Sequence, residues 1–109
     1  MQQPTIDPFQ ALADPSRRQV LRLLSGNRLT INEVAAHFNM SRPAVSKHIK
    51  QLHVAGFISI KNIGRERYCA LNRDGFTALQ EWMHYFDAFW KEQLDALDKL
   101  LKEPGHTGK

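Results

Sequence analysis

A single cysteine, Cys69, stands among the 109 residues, so the chain can close no internal disulfide and build no multi-thiolate metal site of its own. No apolar run approaches the ~20 residues that span a bilayer. The opening Met-Gln-Gln-Pro-Thr-Ile-Asp lacks the charged-then-apolar plan of a signal peptide, and a cytoplasmic protein is expected. A Gly-rich phosphate loop, a nucleophile elbow and repeated His/carboxylate clusters are all missing, so no catalysis and no cofactor are expected. Ser16 and Ser46 have no base at a recognisable spacing. Internal repeats and low-complexity tracts are absent too. What remains, with 42% hydrophobic and 24% charged residues, is the composition of one small globular domain. That excludes a large two-domain enzyme and favours a binding module.

The charge is unevenly placed. Residues 41–73 hold seven basic side chains (Arg42, Lys47, Lys50, Lys61, Arg65, Arg67, Arg73) against Glu66 alone, whereas residues 74–103 hold seven acids against three lysines. A basic middle bounded by an acidic end suits a molecule with one face turned to a polyanion.

Punctuation along the chain predicts four helices, a hairpin and a long helix. Asp7-Pro8 and Asp14-Pro15 each read as a cap followed by a first helical residue, opening helices over 7–13 and 15–24. Ser25-Gly26-Asn27 ends the second. Thr30 with Glu33 has capping-box spacing, and Ile31, Val34, Ala35 and Phe38 mark one buried face. After the turn Asn39-Met40-Ser41, Ser41 caps a helix over 41–55 whose inner face is Val45, Ile49 and Leu52. Residues 57–63 and 66–72 alternate as two strands around Gly64-Arg65. Residues 74–103 then form one amphipathic helix, with Phe76, Leu79, Met83, Phe86, Trp90, Leu94, Leu97 and Leu101 three or four apart, and 104–109 are expected to be a flexible tail. The expected fold is mainly α with a small β-hairpin: a winged helix-turn-helix core over 7–73 carrying a C-terminal dimerisation helix.

Two short helices joined by a tight turn, the second basic outside, suit insertion into the major groove of double-stranded DNA. The candidate contacts are Ser41, Arg42, Ala44, Ser46, Lys47, His48 and Lys50 on the helix, with Lys61, Asn62, Arg65 and Arg67 on the wing. Arg and Lys donate to guanine edges or phosphates, Ser serves either, and free N–H groups at the Ser41 end face a phosphate. A winged module that binds RNA or protein is the alternative; a protein-binding wing would not need cations on both elements.

These residues resemble the ArsR-type winged helix-turn-helix regulators of bacteria. The similarity lies in Phe9-Gln-Ala-Leu-Ala-Asp-Pro-Ser-Arg-Arg, Val20-Leu-Arg-Leu-Leu, Ser41-Arg-Pro-Ala-Val-Ser-Lys-His-Ile-Lys-Gln-Leu, Ala55-Gly-Phe-Ile, Gly64-Arg and Tyr68 to Leu71. It implies a homodimeric transcription regulator, usually a repressor, whose helix at Ser41 enters the major groove and whose Gly64-Arg65 hairpin is the wing. It also implies that His48 reaches a phosphate or braces its helix. The metal-sensing branch has Cys-x-Cys where this chain has Thr30 and Asn32, so thiolate sensing is not expected. A second family metal site uses Asp and His on the C-terminal helix; here His84 and Asp87 stand alone and read as a solvated pair. Metal is therefore expected at neither position. His37 and His53 lack ligand partners and are expected on the surface. Cys69 reads as a small buried residue, with a redox-reactive thiol as the alternative.

At ~1.5 Å per residue the last helix would reach about 40–45 Å. Trp82, Tyr85, Phe86, Phe89 and Trp90 place five of ten aromatics within nine residues. So broad a stripe needs a cover. A second copy would supply it, with Phe9 and Leu12 of the first helix joining Phe76, Leu79, Trp82, Met83, Phe86, Phe89, Trp90, Leu94 and Leu97 in the interface. A pocket for an apolar effector between the subunits is the other reading of the same stripe, and an unknown small-molecule or protein effector is a further expected partner.

Overall fold

The computed structural model describes residues 6–102, so the tail expected at 104–109 lies outside the described residues. The elements run α1 (Pro8–Ala11), α2 (Pro15–Leu23), β1 (Leu29–Thr30), α3 (Ile31–Ala35), α4 (Arg42–Val54), β2 (Ile58–Ile63), β3 (Glu66–Leu71), α5 (Arg73–Tyr85) and α6 (Asp87–Lys102). The chain divides into two compact units between Leu79 and Gln80.

The caps legible in the sequence do start the helices. Asp7 caps α1 in a reciprocal box with Gln10, and Thr30 does the same for α3 with Glu33. Asp14 takes the Ser16 and Arg17 N–H groups at the start of α2, and Ser41 takes that of Ala44 in α4. Each bond satisfies a donor that the first helical turn leaves without a partner. With four residues, α1 is too short to persist by itself. Its C-terminal carbonyls are taken by two arginines of α2: Arg17 Nε donates to Ala11 O at 2.7 Å, Arg17 Nη2 to Gln10 O at 3.0 Å, and Arg18 Nη1 to Leu12 O at 2.6 Å.

The core of the first unit joins Val20, Leu21 and Leu24 of α2, Ile31 and Val34 of α3, and Val45, Ile49 and Leu52 of α4 to Phe57, Ile58 and Cys69. Phe38 packs on this core, although α3 ends three residues earlier than the apolar spacing implies. The expected two-stranded hairpin is a three-stranded antiparallel sheet in the order β1-β3-β2. The added strand is two residues long, pairing Leu29 with Cys69 and Thr30 with Tyr68. No sequence pattern announces so short a strand, because its partner lies far along the chain. Between β2 and β3, Gly64 supplies φ of 63° at the first loop position, the requirement of a type II′ turn.

The first unit extends past the wing to Leu79 because the start of α5 is locked onto Phe57. Gly75 N–H donates to Gly56 O at 2.8 Å, and the Phe76 ring meets the Phe57 ring edge-on at 4.9 Å. A Cβ at Gly75 would sit 2.7 Å from a Phe57 ring carbon, so only glycine fits the crossing.

The helix expected to run unbroken over 74–103 is interrupted at Phe86. There the N–H bonds back three residues to Met83 O at 3.0 Å, and ordinary helical bonding resumes with Trp90 N–H to Phe86 O at 2.9 Å. No proline or glycine marks the site; the tightened turn falls where Trp82 and Tyr85 both pack edge-on against the Phe86 ring. In the second unit, α6 has no buried residue. No helix among the described residues is long and apolar enough to cross a membrane.

Candidate nucleic-acid interface

Three sides of α4 have three different tasks. Val45, Ile49 and Leu52 are buried. Arg42, Ser46, Lys47 and Lys50 recur along a second side and line an open groove of about 710 Å³, closed on its far side by Ile60 and Arg67 of the wing. The third side carries His48 and Gln51 and faces α2. There Arg17 Nη1 donates to Gln51 Oε1 at 2.7 Å and lies 3.5 Å from His48 Nδ1. The start of α4 is tied to α3 by Arg42 Nε donating to Asn32 Oδ1.

The groove thus brings together five of the candidate DNA contacts, Arg42, Ser46, Lys47, Lys50 and Arg67, from two elements. Ser41 and Ala44 meet at the helix start, where the serine Oγ accepts the alanine N–H at 3.3 Å. His48 is half-buried against Arg17 and does not line the groove. Arg65 lies in the exposed turn. The ladder separates the remaining wing residues. Asn62 pairs with Arg67 on the face that continues through Ile60 and Cys69, and Lys61 pairs with Tyr68 on the opposite face. Arg28, absent from the sequence reading, stacks over that same Tyr68 ring at 5.0 Å.

Thr30 and Asn32 have uses of their own: one caps α3 and the other holds Arg42. His84 Nδ1 lies 2.8 Å from Asp87 Oδ2 with both side chains mostly exposed. Among the described residues no group of three or more His, Cys, Asp or Glu could hold a metal ion. His37 and His53 are exposed, the latter donating from Nδ1 to Ile58 O at 2.9 Å. Cys69 is free and fully buried; burial pushes its thiol above the usual range, against a smaller opposing pull from the Arg67 charge.

Of the expected interface residues, Phe76 and Leu79 pack against the core of the first unit and Leu12 is half-buried there, while Phe9 is exposed. In the second unit Trp82, Met83, Phe89, Trp90, Leu94 and Leu97 are at least half exposed in the single chain, and Phe86 is half-buried between its aromatic neighbours.

Sequence reading missed Arg17, Gln51 and Asn32 because a long side chain's choice of distant acceptor leaves no local periodicity. The split between Lys61 and Arg67 did have a signal. A two-residue turn at Gly64-Arg65 pairs position 62 with 67, and strand alternation then puts 61 on the other face.

Residues 14–59 match the model of the bacterial regulatory protein, arsR family. The chain is 41% identical over 81 residues to the transcriptional repressor SdpR of Bacillus subtilis, covering 72% of this chain and 87% of the relative. It is 34% identical to the HTH-type transcriptional regulator Rv2034 of Mycobacterium tuberculosis, covering 89% and 88%. A crystal structure of an ArsR family transcriptional regulator superposes with a TM-score of 0.71 at 42% identity, over 77% of this chain and 87% of the other. The chain therefore belongs to the arsR family of bacterial regulatory proteins, and its winged helix-turn-helix is that of a DNA-binding transcription regulator.

Proposed function

We propose that the protein is a homodimeric repressor that binds an inverted-repeat operator in double-stranded DNA and carries out no catalysis. The groove shared by α4 and Arg67 carries this reading: cations from two elements surround one concavity, with Ser46 among them. The outward side of α4 enters the major groove, Lys47 and Lys50 serve bases or phosphates, and Arg65 and Arg67 follow the adjoining backbone. A second copy covers the exposed apolar stripe of α6 and the end of α5, where Trp82, Met83, Phe89, Trp90, Leu94 and Leu97 are each at least half exposed. Two-fold symmetry then sets two α4 helices one DNA turn apart, and bound protein blocks polymerase. The relative named as a repressor supports the sign of control. The net negative charge of residues 74–103 gives that segment no attraction for DNA, and the protein works in the cytoplasm.

Sequencing of genomic fragments captured by the purified protein tests this. Enrichment of a few sites sharing an inverted repeat supports it, and uniform retention lost at high salt refutes sequence-specific control. In the enriched case, Lys47→Glu with Arg65→Glu should abolish operator binding and leave the dimer intact.

A further inference from the structure

We infer that Arg17 is a positioning residue for the recognition helix, one that sets the seating of α4 through Gln51 and His48 while holding α1 by its carbonyl end; this rests on the operator-binding reading above. One guanidinium serves two elements besides its own. Nε and Nη2 take the Ala11 and Gln10 carbonyls of α1, and Nη1 takes Gln51 Oε1 at 2.7 Å beside His48 Nδ1. Its base is fixed as well, because Arg17 N–H is one of the two that Asp14 holds at the start of α2. The fork is therefore held at its root and at all three nitrogens. A planar five-donor group suits such a task, and a lysine ammonium with one point of charge does not.

The location gives this a functional meaning. Gln51 and His48 lie on the side of α4 that faces neither the core nor the groove, so their bond to Arg17 resists rotation of α4 about its own axis. Rotation is the motion that would carry Ser46, Lys47 and Lys50 off the bases they face, since base hydrogen bonds tolerate only small displacements. At its other end the same guanidinium grips α1, whose exposed Phe9 is proposed to meet the second subunit. Arg17 thereby joins the dimer-contact helix to the reading helix.

The test compares wild type, Arg17→Gln, Arg17→Lys, Gln51→Ala and the double Arg17→Gln/Gln51→Ala on the captured inverted repeat and on a scrambled duplex, with melting temperature and dimer mass measured alongside. If wild type shows no preference for the repeat, the operator reading fails and the inference falls with it. Given a preference, Arg17→Gln should lose about tenfold or more in operator affinity, or about 1.4 kcal/mol, with little change on the scrambled duplex. Arg17→Lys should not restore it. Gln51→Ala leaves the α1 bonds in place, and the double variant should match Arg17→Gln alone, since both remove one shared tie. Additive losses, or equal losses on both duplexes with a shallower salt slope, would make Arg17 a phosphate contact and overturn the inference. Should Arg17→Gln fail to fold, Gln51→Ala against Arg17→Lys decides: unchanged discrimination in both overturns it.

Discussion

Lys61 and Arg67 carry the same charge on adjacent strands of one hairpin, yet they should contribute very differently to DNA binding. Arg67 shares its face with Asn62 and lines the groove with α4; Lys61 shares its face with Tyr68 and does not line it. Neutralising each in turn, as Arg67→Gln and Lys61→Gln, separates the two faces with little disturbance of the exposed wing. Each phosphate neutralised contributes about −0.9 to the slope of log K against log salt, and the proposed dimer would lose two contacts at once, so Arg67→Gln should make the slope shallower by about 1.8. Referred to 1 M salt, the same relation gives a loss of about thirtyfold at 0.15 M that fades as salt rises. Lys61→Gln should change the slope by less than about half of one contact. Fluorescence anisotropy of a labelled operator duplex over roughly 50 to 200 mM salt measures both. Equal slopes for the two variants, or a larger effect at Lys61, would refute the assignment of DNA to the α4 side of the wing.

Gly75→Ala should destabilise the protein by about 1–3 kcal/mol despite alanine's better helix propensity, because the new methyl would meet the buried Phe57 ring at 2.7–2.9 Å; a melting temperature at or above wild type would contradict this. The Cys69 thiol, buried and raised in pKa by that burial, should resist alkylation in the native protein at mildly alkaline pH and react on denaturation; stoichiometric labelling of folded protein would restore the redox-reactive reading. Burial pushes the Asp14 carboxyl up, but the N–H groups of Arg17 and Ser16 and the charges of His48 and Arg17 outweigh it and hold the group below the usual carboxylate range. A depressed folded-state pKa stabilises above the unfolded value, near 3.8, and that share is lost as pH falls through the folded one. Asp14→Ala should therefore cost about 1 kcal/mol at neutral pH and flatten the acid limb of the stability curve below about pH 4, and an unchanged acid limb would show that the cap does not titrate with folding.

Local chemistry was the legible part of the molecule. Asp14, Thr30 and Ser41 mark helix starts because a short polar side chain satisfies N–H groups two or three residues on, within the same stretch of chain. Val45, Ile49 and Leu52 announce the buried side of α4 for the same reason of short range. The features that stayed hidden depend on residues far apart. The β1 strand exists only through Tyr68 and Cys69, and the neighbour that His48 meets, Arg17, comes from another helix. The break at Phe86 is a case between: its aromatic neighbours were visible, but crowding of rings has no fixed consequence for the backbone. Among the candidate contacts, residue type identified a basic surface, whereas dividing it among faces required the ladder register and the packing of α2.

The two-residue strand β1 divides the wing into parts of unequal stiffness. At Tyr68 and Cys69 the central strand has a neighbour on each side, and Arg28 stacks on the Tyr68 ring at that level. From Asn62 to Arg67 the two arms have only each other, and an isolated hairpin in water is marginal. The base of the wing therefore travels with α3 as one body, while its tip is free to adjust to the groove it meets. The conformational entropy lost on docking is confined to that short tip. Arg67 is the first residue beyond the anchored Tyr68, so the inner end of the cationic groove stays near α4 in advance and the margin beyond it takes shape on contact.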